Sequence, residues 1–231
     1  MSLSDSNSID PKQITCIILS GGRGSRMGGV DKGLQPFMGT SLVLHAVQRL
    51  RSQVSKVMIS ANRNFSTYLS FCDEVWPDTK GEFEGPLAGF RVGLEHTQTQ
   101  YLLTAPCDCP HLPLDLAARL GQGLLHHNAQ LAMARAPDLG LLRAQPVFSL
   151  MRANVLASLV EFMEHGGRKI EDWSLTLKSV MVNFDQTTDD PLAFSNINTQ
   201  EQLKTLESAL QLSRAKDRHD MNPLQPFDCS P

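Results

Sequence analysis

A chain of 231 residues with 41% hydrophobic content is long enough for a sizeable core, either as one domain or as a domain with a lobe. Its formal net charge of −3, from 21 basic and 24 acidic residues, argues against general nucleic-acid binding, and no apolar run approaches the roughly 20 residues that span a bilayer. Five cysteines, an odd number scattered at 16, 72, 107, 109 and 229, do not form a disulfide framework.

Residues 1–12 are rich in Ser and Asp rather than basic and then apolar, so they read as a disordered extension of a cytoplasmic protein, not a signal peptide. Residues 14–19, Ile-Thr-Cys-Ile-Ile-Leu, then read as a buried strand. It empties into Ser20-Gly-Gly-Arg23-Gly-Ser-Arg26-Met-Gly-Gly-Val-Asp31-Lys32-Gly33. Glycines after a strand let backbone N–H groups approach an anion closely, and cationic side chains add long arms for phosphate oxygens. Two phosphate loops fail on spacing. A Walker loop needs Gly-Lys-Ser/Thr, but Asp31 precedes Lys32 and Gly33 follows it. The dinucleotide fingerprint meets Met27 at its third glycine and lacks a ribose-binding acid after the next strand, where Ser60-Ala61-Asn62 stand. What fits is G-G-x-G-x-R-M followed closely by a lysine.

Further along, Thr40-Ser41 can cap a helix whose apolar positions Val43, Val47 and Leu50 follow the helical period. Strands are expected at 56–60 and 74–76. Gly85-Pro86 starts a helix with Leu87, Phe90 and Leu94 on one face, since proline is tolerated in a first turn. A strand at 101–105 ends at Pro106-Cys107-Asp108, and a helix from about Leu114 carries Leu116, Leu120 and Leu124. Strands at 131–135 and 145–150 flank a loop or hairpin. A helix at 154–165 and a strand at 179–184 precede a capping box, Thr199 with Gln202, for a last helix bearing Leu203, Leu206 and Leu210. Alternating strands and helices, with continuously apolar strands, predict a Rossmann-like three-layer α/β/α fold with a mainly parallel sheet covered on both faces. One domain is expected over 13–212, with a polar, proline-broken tail, 213–231, expected to be disordered. His126-His127 reads as a solvent-exposed pair. Cys107-Asp108-Cys109 lacks the second ligand pair of a structural zinc site, so buried thiols fit better.

In open α/β sheets ligands collect outside the carboxyl ends of the strands. Three such ends here are polar: the glycine run, Ser60-Ala61-Asn62, and Ala105-Pro106-Cys107-Asp108. A lone carboxylate at Asp108 suits Mg²⁺ bridging nucleotide phosphates; the alternative is a cap for the helix near Pro110. Asp78 and Gly85-Pro86-Leu87-Ala88-Gly89 lie between strands on the same side and can wall the pocket.

Taken in order, Leu19-Ser-Gly-Gly-x-Gly-x-Arg-Met-Gly-Gly-x-Asp-Lys-Gly33, Asn62-Arg63, Asp78, Gly85-Pro-Leu-Ala-Gly89, Pro106-Cys-Asp108 and Asn196-Ile-Asn198-Thr199 resemble the bacterial molybdenum cofactor guanylyltransferase family over about residues 14–210. Gln145-Pro146-Val147-Phe148 and Gly167-Arg168-Lys169 resemble its acceptor-side segments. Ser20 departs from the usual alanine. The resemblance implies the nucleotide-diphospho-sugar transferase fold and transfer of GMP from GTP to molybdenum-bound molybdopterin. Leu19, Ser20 and Gly21 would line the guanosine, Lys32 would meet the phosphates, and Asn62 and Asp78 would complete the nucleotide site. Asp108 would bind Mg²⁺ and contact the nucleotide. Lys32, Arg23 and Arg26 would neutralise the triphosphate, which makes Lys32, Arg26 and Asp108 the expected catalytic set. Arg168 and Lys169 suit the molybdopterin phosphate, and Asn196 and Asn198 can reach metal or acceptor. Proteins that deliver or accept the cofactor are implied partners. Two alternatives stand at this point: a cytidylyltransferase for molybdopterin or a sugar or polyol phosphate, and a non-catalytic nucleotide-binding cofactor chaperone.

Overall fold

The computed structural model describes residues 8–21, 30–78, 85–138, 140–197, 199 and 201–208. The chain runs β1 (Ile14–Leu19), β2 (Pro36–Phe37), β3 (Thr40–Ser41), α1 (Leu42–Leu50), β4 (Lys56–Ser60), α2 (Phe65–Leu69), β5 (Glu74–Trp76) and α3 (Pro86–His96). It continues through β6 (Tyr101–Pro106), α4 (Leu116–His126), β7 (Leu131–Asp138), β8 (Leu141–Arg152), α5 (Leu156–Glu164), α6 (Ile170–Ser174) and β9 (Ser179–Asn183). Residues 201–208 are helical.

Seven strands form one sheet in the order β5-β4-β1-β6-β8-β7-β9, and only β8 runs against its neighbours. The central strands are apolar on both faces because both faces are covered. Cys16, Ile18, Val57 and Ile59 pack with α1 and α4, whereas Ile17, Met58 and Leu102 pack with α3, α5 and α6. A fully buried aliphatic side chain contributes about 1.5–3 kcal/mol against the cost of ordering it, so both layers are needed to hold the sheet. The predicted three-layer fold is the one observed.

Differences fall on short or irregular pieces. β7 and β8 extend beyond their apolar runs into a hairpin, with a register shift between Met133 and Ala134. The expected helix at 154–165 begins as a 3-10 turn, Ala153–Val155, before α5. α2, α6 and the β2–β3 ribbon are too short to carry a periodic signal in the sequence. Ser41 occupies the N-cap of α1, but its side chain makes no capping bond, and its Oγ is buried without a partner. The helix instead takes backbone caps: Leu42 N donates to Gln35 O at 3.0 Å and Val43 N to Gly33 O at 2.9 Å. The Asp31-Lys32-Gly33 turn is thereby tied to the start of α1. Ile9 packs half-buried beside α4 at Gly121, and Asp10 caps the turn Pro11–Gln13, so packing begins ahead of residue 13. The Thr199–Gln202 capping box forms, with reciprocal bonds of 3.2 and 3.1 Å. Residues 1–7 and the tail 213–231 lie outside those described.

His126 and His127 are exposed. Cys16, Cys107 and Cys109 are buried thiols, and Cys72 is half-buried. Burial pushes the Cys107 thiol up to about 12 and Cys72 to about 11, and raises Cys16 and Cys109 strongly as well. The thiolate is the reactive form, and at pH 8 only about one part in ten thousand of such a Cys107 is thiolate. A Cys229→Ser variant is therefore expected to titrate with fewer than one fast-reacting thiol when native and four when unfolded, in a disulfide-exchange assay at pH 8.

Candidate active site

Sheet register sets the geometry. Leu19 pairs with Ser60 and with Pro106, and Ser60 pairs with Trp76, so four parallel strands end level with one another. Gly21, Asn62, Asp78 and Asp108 each lie two residues beyond that level row. Four strand ends thus deliver the expected residues to one edge, the edge where open α/β sheets bind ligands.

One cluster surrounds Asp78. Asn62 donates from Nδ2 to Asp78 Oδ2 at 2.9 Å and accepts from Asp78 N at Oδ1, 3.0 Å away. Ser60 Oγ donates to the other carboxylate oxygen. Gly21 sits directly against this pair: a Cβ there would lie 1.9 Å from Asp78 Oδ2, so no other residue type fits without moving the carboxylate. Asn62 is exposed and Asp78 half-buried, so an amide and part of a carboxylate face the outside of this strand edge. Leu19 closes the wall on the α3 side. Gly89 admits it, since a Cβ on Gly89 would come within 2.5 Å of Leu19 Cδ2. Gly85 has φ +115 and Pro86 opens α3, which brings Gly89 against Leu19 at the end of β1.

The second cluster joins Lys32 to Asp108. Lys32 Nζ donates to Asp108 Oδ2, with the two side chains 23% and 13% exposed. At an effective dielectric near 20 two opposite charges at contact attract by about 4 kcal/mol before desolvation, enough to hold both side chains facing the same space. Asp108 does not cap the helix near Pro110; α4 begins at Leu116 with Asp115 at its N-cap. Its carbonyl accepts Ile197 N at 3.0 Å, and the Cys109 thiol donates to Asn196 Oδ1 at 2.7 Å, so the Asn196–Ile197 segment is docked on the same strand end. Arg168 is held by the carbonyls of Met163 and Gly167, at 3.1 and 2.8 Å, between α5 and α6, with Lys169 exposed beside it. Arg23, Arg26 and Asn198 lie outside the described residues. Among the described residues no group of three or more His, Cys, Asp or Glu is placed to hold a metal ion, and Cys107 and Cys109 are packed in the core.

Between the clusters lies a network that no local pattern announced. Tyr68, fully buried in α2, donates its hydroxyl to Asp31 Oδ1 and receives the Ser20 hydroxyl at 2.5 Å. Asn64 Nδ2 holds Asp31 Oδ2 at 2.9 Å, with Arg63 Nε at 3.5 Å. Burial, followed by the bond to the Asp31 carboxylate, keeps the Tyr68 phenol protonated far above its ordinary range, and the bond from Ser20 opposes this only in part. Asn64, with φ +55, was the one available hint, being a residue type that tolerates the left-handed turn opening α2.

A glycine-bearing strand end, a lysine-facing carboxylate and a second amide–carboxylate pair collect on one edge of a parallel sheet, the place where a nucleotidyltransferase of this fold class needs polar groups. The relatives of the chain agree. A MobA-like NTP transferase domain matches residues 16–179, and the chain belongs to that family. It is 52% identical over 207 residues to a molybdenum cofactor guanylyltransferase of Albidiferax ferrireducens, covering 87% of this chain and 98% of that one. A protein of the same name from an Acidovorax species is 53% identical over 205 residues, covering 86% and 97%. The solved structure of molybdopterin-guanine dinucleotide biosynthesis protein A from Archaeoglobus fulgidus superposes with a TM-score of 0.68 at 19% identity, over 86% of this chain and 99% of that one, and so shares the fold.

Proposed function

We propose that the protein transfers GMP from GTP to the phosphate of molybdenum-bound molybdopterin, releasing pyrophosphate and forming the guanine dinucleotide cofactor. The reaction belongs in the cytoplasm and needs Mg²⁺. What carries this reading is the meeting of Lys32 and Asp108 beside residues 19–21, in a chain about half identical to proteins bearing that enzyme name. Those names favour neither a cytidylyltransferase nor a non-catalytic chaperone.

An acceptor phosphate oxygen would attack the α-phosphorus, and the bond to the β-phosphate oxygen would break, with the electron pair leaving on pyrophosphate. The acceptor is already an anion, so no strong general base is required; alignment and charge neutralisation do most of the work. Leu19, Ser20 and Gly21 would line the guanosine. Asn62 and Asp78 would offer a donor and an acceptor to its uncharged part, and Lys32 would neutralise the phosphates. Arg23 and Arg26 join Lys32 on sequence grounds.

The residues present fit a divalent cation. Asp108 has one oxygen on Lys32, while the nearest thiol contact to the other, from Cys109, is 4.0 Å long. Magnesium takes one or two carboxylates and completes its shell from phosphates and water. Bound there, the cation would supply positive charge to the α-phosphate and the leaving pyrophosphate. Asn196, docked beside Asp108, and Arg168 with Lys169 are the side chains proposed for the acceptor.

The test is reconstitution. Purified protein with Mg²⁺, GTP and molybdenum-loaded molybdopterin is expected to release pyrophosphate and to activate an apo-molybdoenzyme that requires the guanine dinucleotide. Turnover with CTP alone would reassign the donor, and nucleotide binding without pyrophosphate release would revive the chaperone.

A further inference from the structure

The glycine-rich run leaves β1 at Ser20 and returns to described structure at Val30 and Asp31. Both ends meet on one buried atom, the hydroxyl oxygen of Tyr68. Tyr68 has a single hydroxyl proton, and an ionised Asp31 can only accept, so the proton is committed to Asp31 and the Ser20 hydroxyl donates to the phenol oxygen. The result is a directed chain, Ser20 to Tyr68 to Asp31. Gly33 packs on the same point: a Cβ there would lie 2.6 Å from Ser20 Oγ and 2.7 Å from Tyr68 Oη. The residues on either side of Lys32 are therefore both set by Tyr68. Asn64 and Arg63, from the turn that opens α2, hold the remaining oxygen of Asp31, and Arg63 also donates to Val30 O at 3.0 Å. A phenylalanine would fill the same apolar space. The buried hydroxyl is tolerated only because it is bonded on both sides, and both bonds run to the stems of the glycine run.

We infer that Tyr68 is a positioning residue of the transfer site, its hydroxyl stapling Ser20 to Asp31 so that Lys32 and the backbone of residues 19–21 face the nucleotide already in register. This rests on the proposed GTP-dependent function. Preorganisation of this kind lowers the ordering cost of binding, so its loss falls first on nucleotide affinity.

The test compares Tyr68→Phe, Asp31→Ala and the double variant with the wild type. GTP affinity is measured by calorimetry in Mg²⁺, and GMP transfer at saturating GTP. Tyr68→Phe is expected to weaken GTP binding and raise its KM five- to tenfold while kcat stays within threefold. The double variant is expected to bind about as weakly as the weaker single, because both cut one chain. Ser149→Ala on β8, which removes a different buried hydroxyl that bonds Pro146 O, controls for general loosening and is expected to leave GTP affinity unchanged. A folded Tyr68→Phe that binds GTP within twofold of wild type overturns the inference, as does an equal loss in Ser149→Ala. Wild-type protein that does not bind GTP overturns the functional reading itself, and the staple with it.

Discussion

Replacing Asp108 with alanine is expected to lower GMP transfer at saturating GTP by a factor of about 10³ or more, with no recovery in excess Mg²⁺. A cation at developing phosphate charge is worth several kcal/mol, and about 4 kcal/mol is a factor near 10³. The fold should survive. The bond that docks residue 197 uses the Asp108 carbonyl, which alanine keeps, and the Lys32 left behind is 23% exposed and can turn to water. Stability should therefore fall by about 1–3 kcal/mol, the cost of leaving one partner of a largely buried pair unmet. Pyrophosphate release against Mg²⁺ concentration, with thermal unfolding alongside, is the measurement. Near-normal turnover at high Mg²⁺ would show that Asp108 holds no cation the reaction needs.

Lys32→Ala is expected to lower kcat/KM for GTP by about 10²–10³, the scale seen when one preorganised donor to a charged transition state is lost. Its partner argues that the loss is not simply additive with that of Asp108. The two side chains bond each other, and in the proposed reaction one would serve the cation and the other the phosphates of the same GTP. A Lys32→Ala/Asp108→Ala double variant should thus lose far less than the product of the single losses, since groups acting as one unit do not partition. Steady-state kinetics on all four proteins closes the cycle, and strictly multiplicative losses would show that the two residues act independently.

Much of this molecule was legible before folding. Strands at 56–60 and 74–76 and the helix opening at Pro86 appear where local pattern put them, because burial on two sheet faces writes continuous apolar runs and Gly-Pro can only begin a helix. The residues expected at the strand ends, Leu19 to Gly21, Asn62, Asp78 and Asp108, do meet at one edge. What could not be read is how they partner. Ser41 has the chemistry of a cap yet does not cap, because the carbonyls of Gly33 and Gln35 arrive first. Asp108 looked as able to cap a helix as to face a cation, and its pairing with Lys32 spans 76 residues. Tyr68 sits in a five-residue helix without a periodic signature, and nothing nearby in the chain marks its hydroxyl as different from a surface phenol.

Taken alone, then, the order of residues determined the layer architecture and the end of the sheet at which polar groups collect. These are consequences of short-range periodicity and backbone freedom, which are local properties. Only the tertiary structure decided that Asp78 belongs with Asn62 and Ser60, that Asp108 belongs with Lys32, and that Asp31, one residue from that lysine, faces away to Tyr68. Which carboxylate meets which donor depends on the level ending of four parallel strands and on packing through α2, contacts set by sheet register across long stretches of chain.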